Sequence, residues 1–391
     1  MDRTKIYLDY AATTPVDPRV LECMLPYFRE HFGNPSSIHA FGQRAESALE
    51  NARETVADTL NCVPDEIIFT SGGTESDNLA LRGAALAARK LRGANHILIT
   101  PVEHHAVLNT ARQLAELFGF EVEFLPVDRY GWLDPQVVHD HLQPDTALVS
   151  VIYANNEIGT INPIREIGHI CRQKNIPFHS DAVQAAAYLP VKVDELQVDL
   201  LSLGAHKFYG PKGVGILYAR KGTPLTATQT GGGQERGLRA GTSNIPYIVG
   251  SAEALRIADQ ERSRRREHIQ PMRDQIIESI LERISDSQLT GHPALRLPNH
   301  ASFAFRHVDG NFLLMLLDSN GFACSSGSAC KVGNPEPSEV LLALGLEADW
   351  ALGSLRVTIG NDSTFEQINK FIKFLPMVVS RARSLTAYST H

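Results

Sequence analysis

A lysine and an aspartate, each closing an apolar run, are the residues of this chain whose types and spacing most directly suggest chemistry. Lys207 ends Val198-Asp-Leu-Leu-Ser-Leu-Gly-Ala-His-Lys207 and opens onto Phe208-Tyr-Gly-Pro-Lys-Gly213. Asp181 ends Ile176-Pro-Phe-His-Ser-Asp181, twenty-six residues earlier. Both runs read as short strands, and ligands bind at strand ends in open α/β sheets. An amine and a carboxylate at neighbouring strand ends form the pair that pyridoxal phosphate requires. The amine forms a Schiff base with its aldehyde, and the carboxylate keeps its ring nitrogen protonated.

A third requirement of that cofactor is a phosphate cup. Thr70-Ser-Gly-Gly-Thr-Glu-Ser-Asp-Asn78 joins a strand to a helix, and Gly73 and Thr74 would offer N–H and hydroxyl donors at the helix N-terminus. A capped helix start explains the same residues. His104, in Val102-Glu-His104-His105, follows another strand, where a ring can stack on a ligand and move protons. A satisfied loop histidine is the plainer reading. Asn155, in Ala154-Asn155-Asn156-Glu157-Ile-Gly159, suits a hydrogen bond to cofactor or substrate, and a turn is the plain account. Gln184 lies three residues past Asp181, on what reads as the opening turn of a helix.

Cys330 stands in the Ser/Gly-rich stretch Cys324-Ser-Ser-Gly-Ser-Ala-Cys330-Lys-Val-Gly-Asn-Pro-Glu-Pro337, where nothing nearby is bulky enough to bury it. An accessible thiol is a nucleophile once deprotonated. Cys324, after an apolar stretch, reads as core. Arg356, within the strand pattern Ser354-Leu-Arg-Val-Thr358, could clamp a carboxylate, or could be a surface arginine. Thr242, in the glycine-rich loop Gly231–Thr242, could reach a phosphate of its own or of a neighbouring subunit.

These residues need a scaffold. Apolar strands read at 66–70, 96–100, 121–125, 147–152, 176–179, 198–203 and 214–218, with a helix from about Arg44 to Leu60 before the first and helices between most of the rest. That alternation predicts an α/β domain with a mainly parallel sheet, covered on both faces. A helix over 248–284, interrupted near Pro271, follows. Strands at 301–305 and 354–359, with helices near 310–320, 336–344 and 364–384, predict a smaller α/β domain. The basic run Arg262–Arg266 reads better as a solvated helix face than as a nucleic-acid contact.

Composition limits the alternatives. The chain has 391 residues, 43% apolar and 21% charged, with a formal net charge of −7. A globular protein with a large core is expected. The charge argues against direct nucleic-acid binding. The N-terminus has no apolar signal region and no apolar run reaches membrane-spanning length, so a cytoplasmic protein without membrane contact is expected. Five cysteines, an odd number, do not make a disulfide framework. No paired Cys-x-x-Cys or His-Glu-x-x-His motif calls for a metal.

Taken together, the residues are similar to those of the cysteine desulfurases of the IscS/NifS type, pyridoxal-phosphate enzymes of the aspartate-aminotransferase fold (fold type I). The likeness lies in Tyr7–Pro15, Phe32–Pro35, Thr70–Asn78, Glu103-His104, Asn155–Gly159, Asp181–Gln184, His206-Lys207, Gly231–Arg236 and Ser325–Cys330, in that order along nearly the whole chain, and Arg356 continues it. The resemblance implies a large cofactor-binding domain over 16–262 and a small domain from 1–15 and 263–391 carrying the cysteine loop. It implies Lys207 as the Schiff-base lysine, Cys330 as the persulfide-forming nucleophile and His104 as the ring-stacking acid/base. Asp181 would pair the pyridine nitrogen, and Gln184 the ring hydroxyl. Asn155 and Arg356 would hold the substrate carboxylate. Gly73, Thr74 and His206 would bind phosphate, with Thr242 reaching across a homodimer.

The implied reaction converts L-cysteine to L-alanine. Sulfur passes to a Cys330 persulfide and on to an acceptor protein, an iron–sulfur scaffold or a thiolation relay. No metal is required, and a transient iron–sulfur contact at Cys330 is the only metal encounter expected. Two departures stand out. Many relatives have a phosphate-binding serine where this chain has Gly204, and a backbone N–H there would serve in part. The chain also stops soon after its last predicted helix, where housekeeping relatives carry a longer scaffold-docking tail. The alternatives are a selenocysteine lyase or related eliminase on the same fold, and a catalytically weak subunit of a sulfur relay.

Overall fold

The structure, a computed structural model, describes residues 5–327 and 336–389. Twelve strands run in chain order among the described residues: β1 (Ile6–Tyr7), β2 (Ile67–Thr70), β3 (His96–Ile99), β4 (Glu121–Phe124), β5 (Thr146–Ser150), β6 (Phe178–Asp181), β7 (Leu200–Gly204), β8 (Gly215–Ala219), β9 (Ser287–Leu289), β10 (His300–Phe305), β11 (Phe322–Ala323) and β12 (Ser354–Thr358). Seven of them form one sheet in the order β2-β8-β7-β6-β5-β3-β4. Only β8 runs against the others. Successive side chains of a strand point to opposite faces. Here both faces are apolar: Phe69, Leu98, Val149 and Leu201 join one core cluster, and Ile68, Ile97, Ile99, Leu148 and Leu200 the other. Continuous apolar strands therefore mark a sheet covered on both sides.

The helices that position the site begin and end on local signals. Helix α1 (Ala40–Leu60) is capped by the His39 ring, which accepts from Gly42 N–H, so it starts a turn earlier than its apolar pattern suggests. It stops at Asn61 in the left-handed region. Helix α2 (Gly73–Arg92) follows β2 and ends at Gly93, with φ of 69°. Helix α3 (His105–Phe118) is capped by His104 and ends at Gly119, with φ of 66°. Glycine meets this left-handed closing conformation without a Cβ penalty.

Beyond the large sheet, helix α4 (Ile245–Arg283) runs unbroken through Pro271. The expected interruption is absent because Pro271 is on the exposed side, where water can serve the carbonyl its ring leaves without a partner. The helix packs on α1 and on the C-terminal helix Phe365–Ser389. The basic run is mostly paired along α4: Arg262 with Asp259, Arg264 with Glu261. Arg265 turns inward, over the Tyr209 ring, while its Nη2 stays 3.6 Å from Glu261 Oε2.

Strands β9, β10 and β12 make a second, antiparallel sheet. The N-terminal segment lies beside it: β1 pairs with β11 in a two-stranded sheet, and Asp9 bridges to Thr358 of β12. This return of residues 5–15 brings backbone from the start of the chain against Lys207 and Arg356.

Candidate functional site

The carboxyl ends of the parallel strands converge on one cavity of about 250 Å³. Its wall includes Gly73, Thr74, His104, Asp181, Gln184, His206, Lys207 and Arg356, eight of the residues singled out from sequence. Strand direction explains the convergence. β6 delivers Asp181 as its last residue, β7 leads into a single turn ending in Lys207, and the loop after β3 delivers His104.

Lys207 Nζ donates to the carbonyls of Ala11 (2.5 Å) and Ala12 (2.7 Å). Burial, with Arg356 nearby, lowers its pKa to about 8, while Asp9 and Asp181 oppose the shift. An amine so placed is partly neutral near physiological pH, which a nucleophilic or proton-abstracting lysine needs. Asp181 Oδ1 accepts from Val183 N–H (2.9 Å). Burial raises its carboxyl, with His104, that N–H and Lys207 pulling the other way. It is a buried anion whose natural complement is a cationic N–H placed in the cavity.

His104 Nδ1 accepts from Ala106 N–H (3.1 Å). Its proton, when the ring is neutral, is therefore on Nε2. Burial keeps the ring neutral, against the Asp181 charge and together with Lys207 and His105. His206 is held neutral in the same way, its pKa lowered to about 4 by burial and the cations of Lys207 and Lys212. Its Nδ1 lies 3.2 Å from Thr13 Oγ1.

The head of α2 has no side-chain cap. A Cβ on Gly73 would sit 2.6 Å from Val183 Cγ2, so only glycine fits there. A Cβ on Gly204 would lie 3.5 Å from Gly73 N, which places Gly204 beside the uncapped N–H groups. Uncapped donors at the positive end of a 20-residue helix attract a phosphate. The described residues fit pyridoxal phosphate at three points: donors for the phosphate, an unpaired buried carboxylate for the ring nitrogen, and a depressed amine for the aldehyde.

Other expectations land differently. Gln184 is in a run of turns over 183–188, not on a helix, because Pro190 follows too closely for a ladder to build. Its Nε2 donates to Ala11 O (2.8 Å). Asn155 is fully buried, and both ends of its amide serve backbone: Nδ2 donates to Val102 O, and Oδ1 accepts from Glu157 and Ile158 N–H. Its neighbour Asn156 is the one on the cavity wall. Arg356 is not a surface residue. It is buried, with Nη2 2.9 Å from Asp9 Oδ1 and Nη1 donating to Asn156 O. Thr242 is exposed and away from the cavity, in a loop held by a bidentate Arg53–Glu235 pair at 2.9 and 3.0 Å. Cys330 lies outside the described residues. Cys324 packs half-buried at the core edge, and burial raises its thiol pKa.

The structure adds residues that sequence reasoning passed over. Asp77, four residues after Gly73 and so on the same helix face, also lines the cavity. The ligating atoms of Asp77, His104 and Asp181 lie within 4.8 Å of one another. Burial, then the Asp181 charge, raises the Asp77 carboxyl well above its usual range. Behind it, the His179 ring joins Ser150 Oγ (2.8 Å) and Ser202 Oγ (2.9 Å). Glu103 braces the His104 turn by accepting from Thr100 Oγ1 (2.6 Å) and Ile152 N–H (2.8 Å).

The aminotransferase class-V family profile matches residues 6–371. The cysteine desulfurase IscS of Dictyoglomus turgidum is 47% identical over 386 residues, covering 99% of this chain and 97% of that protein. A solved NifS-like protein superposes with a TM-score of 0.89 at 39% identity, covering 96% of this chain and all of the other. The solved structure of SspA in complex with cysteine gives 0.78 at 37% identity, over 90% of this chain and 98% of that one.

Proposed function

The chain belongs to the class-V aminotransferases and, within them, to the pyridoxal-phosphate-dependent cysteine desulfurases of the IscS/NifS type, and on that premise we propose that it converts L-cysteine to L-alanine, carrying the sulfur on Cys330 to an acceptor protein. The acceptor would serve iron–sulfur cluster assembly or another thiolation. The observation that carries this reading is the single cavity shared by a depressed lysine, a buried aspartate, an uncapped helix head and a buried arginine.

Lys207 would hold the cofactor, Asp181 its ring nitrogen, and Gly73, Thr74 and His206 its phosphate, with Gly204 contributing backbone. Gln184 and Asn155 would support the ring hydroxyl side, Asn155 by fixing the turn that presents Asn156. Bound there, pyridoxal phosphate supplies an electron sink for the bonds at the substrate Cα. The protein does the rest. Arg356 holds the substrate carboxylate, with Asp9 keeping the guanidinium oriented. Lys207, neutral once released, takes the Cα proton, and His104 holds a proton at Nε2 beside it. The Cys330 thiolate attacks the substrate sulfur: an S–S bond forms, the Cβ–S bond breaks, and its electron pair stays with carbon. That fragment takes up a proton at Cβ, regains one at Cα from Lys207, and leaves as L-alanine.

A homodimer fits the surface. Leu21, Leu25, Phe28, Phe32, Ile38 and Phe41 are exposed on neighbouring N-terminal segments, Ile38 to 93%. Such apolar exposure suits a partner subunit, which would bring its Thr242 loop towards the phosphate. No helix among the described residues is long and apolar enough to cross a membrane, in keeping with a cytoplasmic enzyme.

Alanine and persulfide formation from L-cysteine, measured for wild type and Cys330→Ala with cofactor content checked in both, tests the reading. Wild type should make alanine and carry one persulfide. The variant should bind cofactor and do neither. A variant that still turns over at the wild-type rate overturns the role of Cys330.

A further inference from the structure

Glu157 is spent on neither the cofactor nor the core, yet it meets both ends of the segment that carries Cys330. On the C-terminal side, Ser338 Oγ donates to Glu157 Oε2 at 2.5 Å. On the N-terminal side, a Cβ built on Gly327 would fall 2.6 Å from the same oxygen and 3.5 Å from Ser338 Cβ. The carboxylate thus fills the space over Gly327 and takes the hydroxyl of Ser338, closing the two stems on one atom. Ten residues lie between those stems, Cys330 among them.

Each participant is independently fixed. Asn155 accepts from Glu157 and Ile158 N–H, holding the turn that aims Glu157 (2.7 and 2.9 Å). Arg356 Nη1 donates to the Asn156 carbonyl in that turn. The first stem is zipped to β12 by Arg356 N–H to Ser325 O (2.7 Å), and Ser325 Oγ donates to Asp9 Oδ2 (2.7 Å). The second stem caps the helix Glu339–Ala343 through Ser338, and its Val340 and Leu341 pack with Val102, Ile152 and Ile158. The substrate-facing turn, the arginine and both stems therefore share one bonded frame.

We propose that Glu157 is a positioning residue for sulfur transfer, tying both stems of the Cys330 segment to the turn that lines the cofactor cavity. The inference rests on the reading of Cys330 as the sulfur-accepting thiol. Fixing Gly327 and Ser338 fixes where the chain bearing Cys330 leaves and re-enters the fold beside the cavity, so the gain lies in the transfer step and not in substrate binding. A hydrogen bond to a half-buried carboxylate is strong enough that its loss should change the transfer rate about ten-fold.

The test uses the holoenzyme with Glu157→Ala, Glu157→Gln and Ser338→Ala. Lys331 gives a second readout, the rate of tryptic cleavage after it, which needs no activity. Both alanine variants should lose about ten-fold in kcat, with KM, cofactor content and the cofactor absorbance change on adding L-cysteine as in wild type. Both should be cleaved about ten-fold faster after Lys331. Glu157→Gln, which still accepts from Ser338, should recover most of the rate and the protection. Unchanged cleavage, a glutamine variant as impaired as alanine, or an absorbance change lost in step with kcat would each overturn the proposal. If wild type carries no persulfide on Cys330, the functional reading fails, whereas the tryptic comparison still decides whether Glu157 ties the stems.

Discussion

Replacing Gly204 by serine should tighten the hold on the cofactor. The backbone there is extended, with φ of −128° and ψ of 113°, so a side chain costs no strain in the main chain. The new Cβ would stand 3.5 Å from Gly73 N, at the uncapped head of α2, and 3.3 Å from Val183 Cγ1. From that position the hydroxyl can donate to an anion gathered by the helix head. A hydrogen bond to a charged acceptor contributes roughly 1.5–3 kcal/mol. Against it, Val183 must give way by a few tenths of an ångström, at about 0.5–1.5 kcal/mol if its rotamer is displaced. The balance is about 1 kcal/mol in favour, or about a five-fold lower dissociation constant for pyridoxal phosphate. Reconstitution of the cofactor-free protein, followed by visible absorbance across a cofactor titration, measures it. A dissociation constant that stays the same or rises would refute the placement of the phosphate beside Gly204, or show that Val183 does not yield.

Lys207, with its pKa lowered to about 8, binds its proton less readily in the folded protein than in the unfolded chain. In the cofactor-free state the group is fully destabilising below about pH 8, and stability is recovered as pH rises towards 10.5. The neutral fraction sets the capture rate of cofactor, which stopped-flow absorbance should show rising about ten-fold per pH unit up to about 8 and then levelling. A profile still climbing at that slope past pH 9 would contradict the depressed amine. Asp181→Asn should keep the cofactor while lowering kcat about 100-fold, the worth of one charge-assisted hydrogen bond at the upper end; wild-type turnover would show that the carboxylate does not reach the ring nitrogen. Arg356→Lys should raise KM for L-cysteine about ten-fold at unchanged cofactor content, since one ammonium cannot serve Asp9, the Asn156 carbonyl and a substrate carboxylate together; an unchanged KM would remove Arg356 from the substrate.

Strand ends were the most legible part of this chain. The runs ending in Thr70 and Asp181 are short and apolar and form strands of the large sheet to within two residues, and the run leading to Lys207 forms one that ends at Gly204, a single turn before the lysine. Where the reading slipped, a nonlocal effect decided. Pro271 is carried inside a 39-residue helix because packing of that helix on its neighbours leaves Pro271 on the exposed side, where water can serve the freed carbonyl. The partner of Gln184 is Ala11, which is 173 residues away in sequence. Asn155 turned out to support the site from behind while Asn156 faces it, a distinction of side-chain direction that composition and spacing do not encode.

The sequence by itself determined the residue types, their order and the alternation of strand and helix, because local apolar periodicity and turn residues act within a few positions. That was enough to put an amine, a carboxylate and a glycine-rich helix start at the same edge of a parallel sheet. Tertiary structure alone decided the ionisation and the neighbours. Lys207 is depressed by burial and by Arg356 from another sheet. Asp77 joins Asp181 only when α2 packs across β6 and β7. The N-terminal Asp9 meets Arg356, 347 residues away, and Glu157 meets Ser338 across 181. Desolvation and Coulomb interactions depend on what lies within a few ångströms in space, and only the folded chain sets those distances.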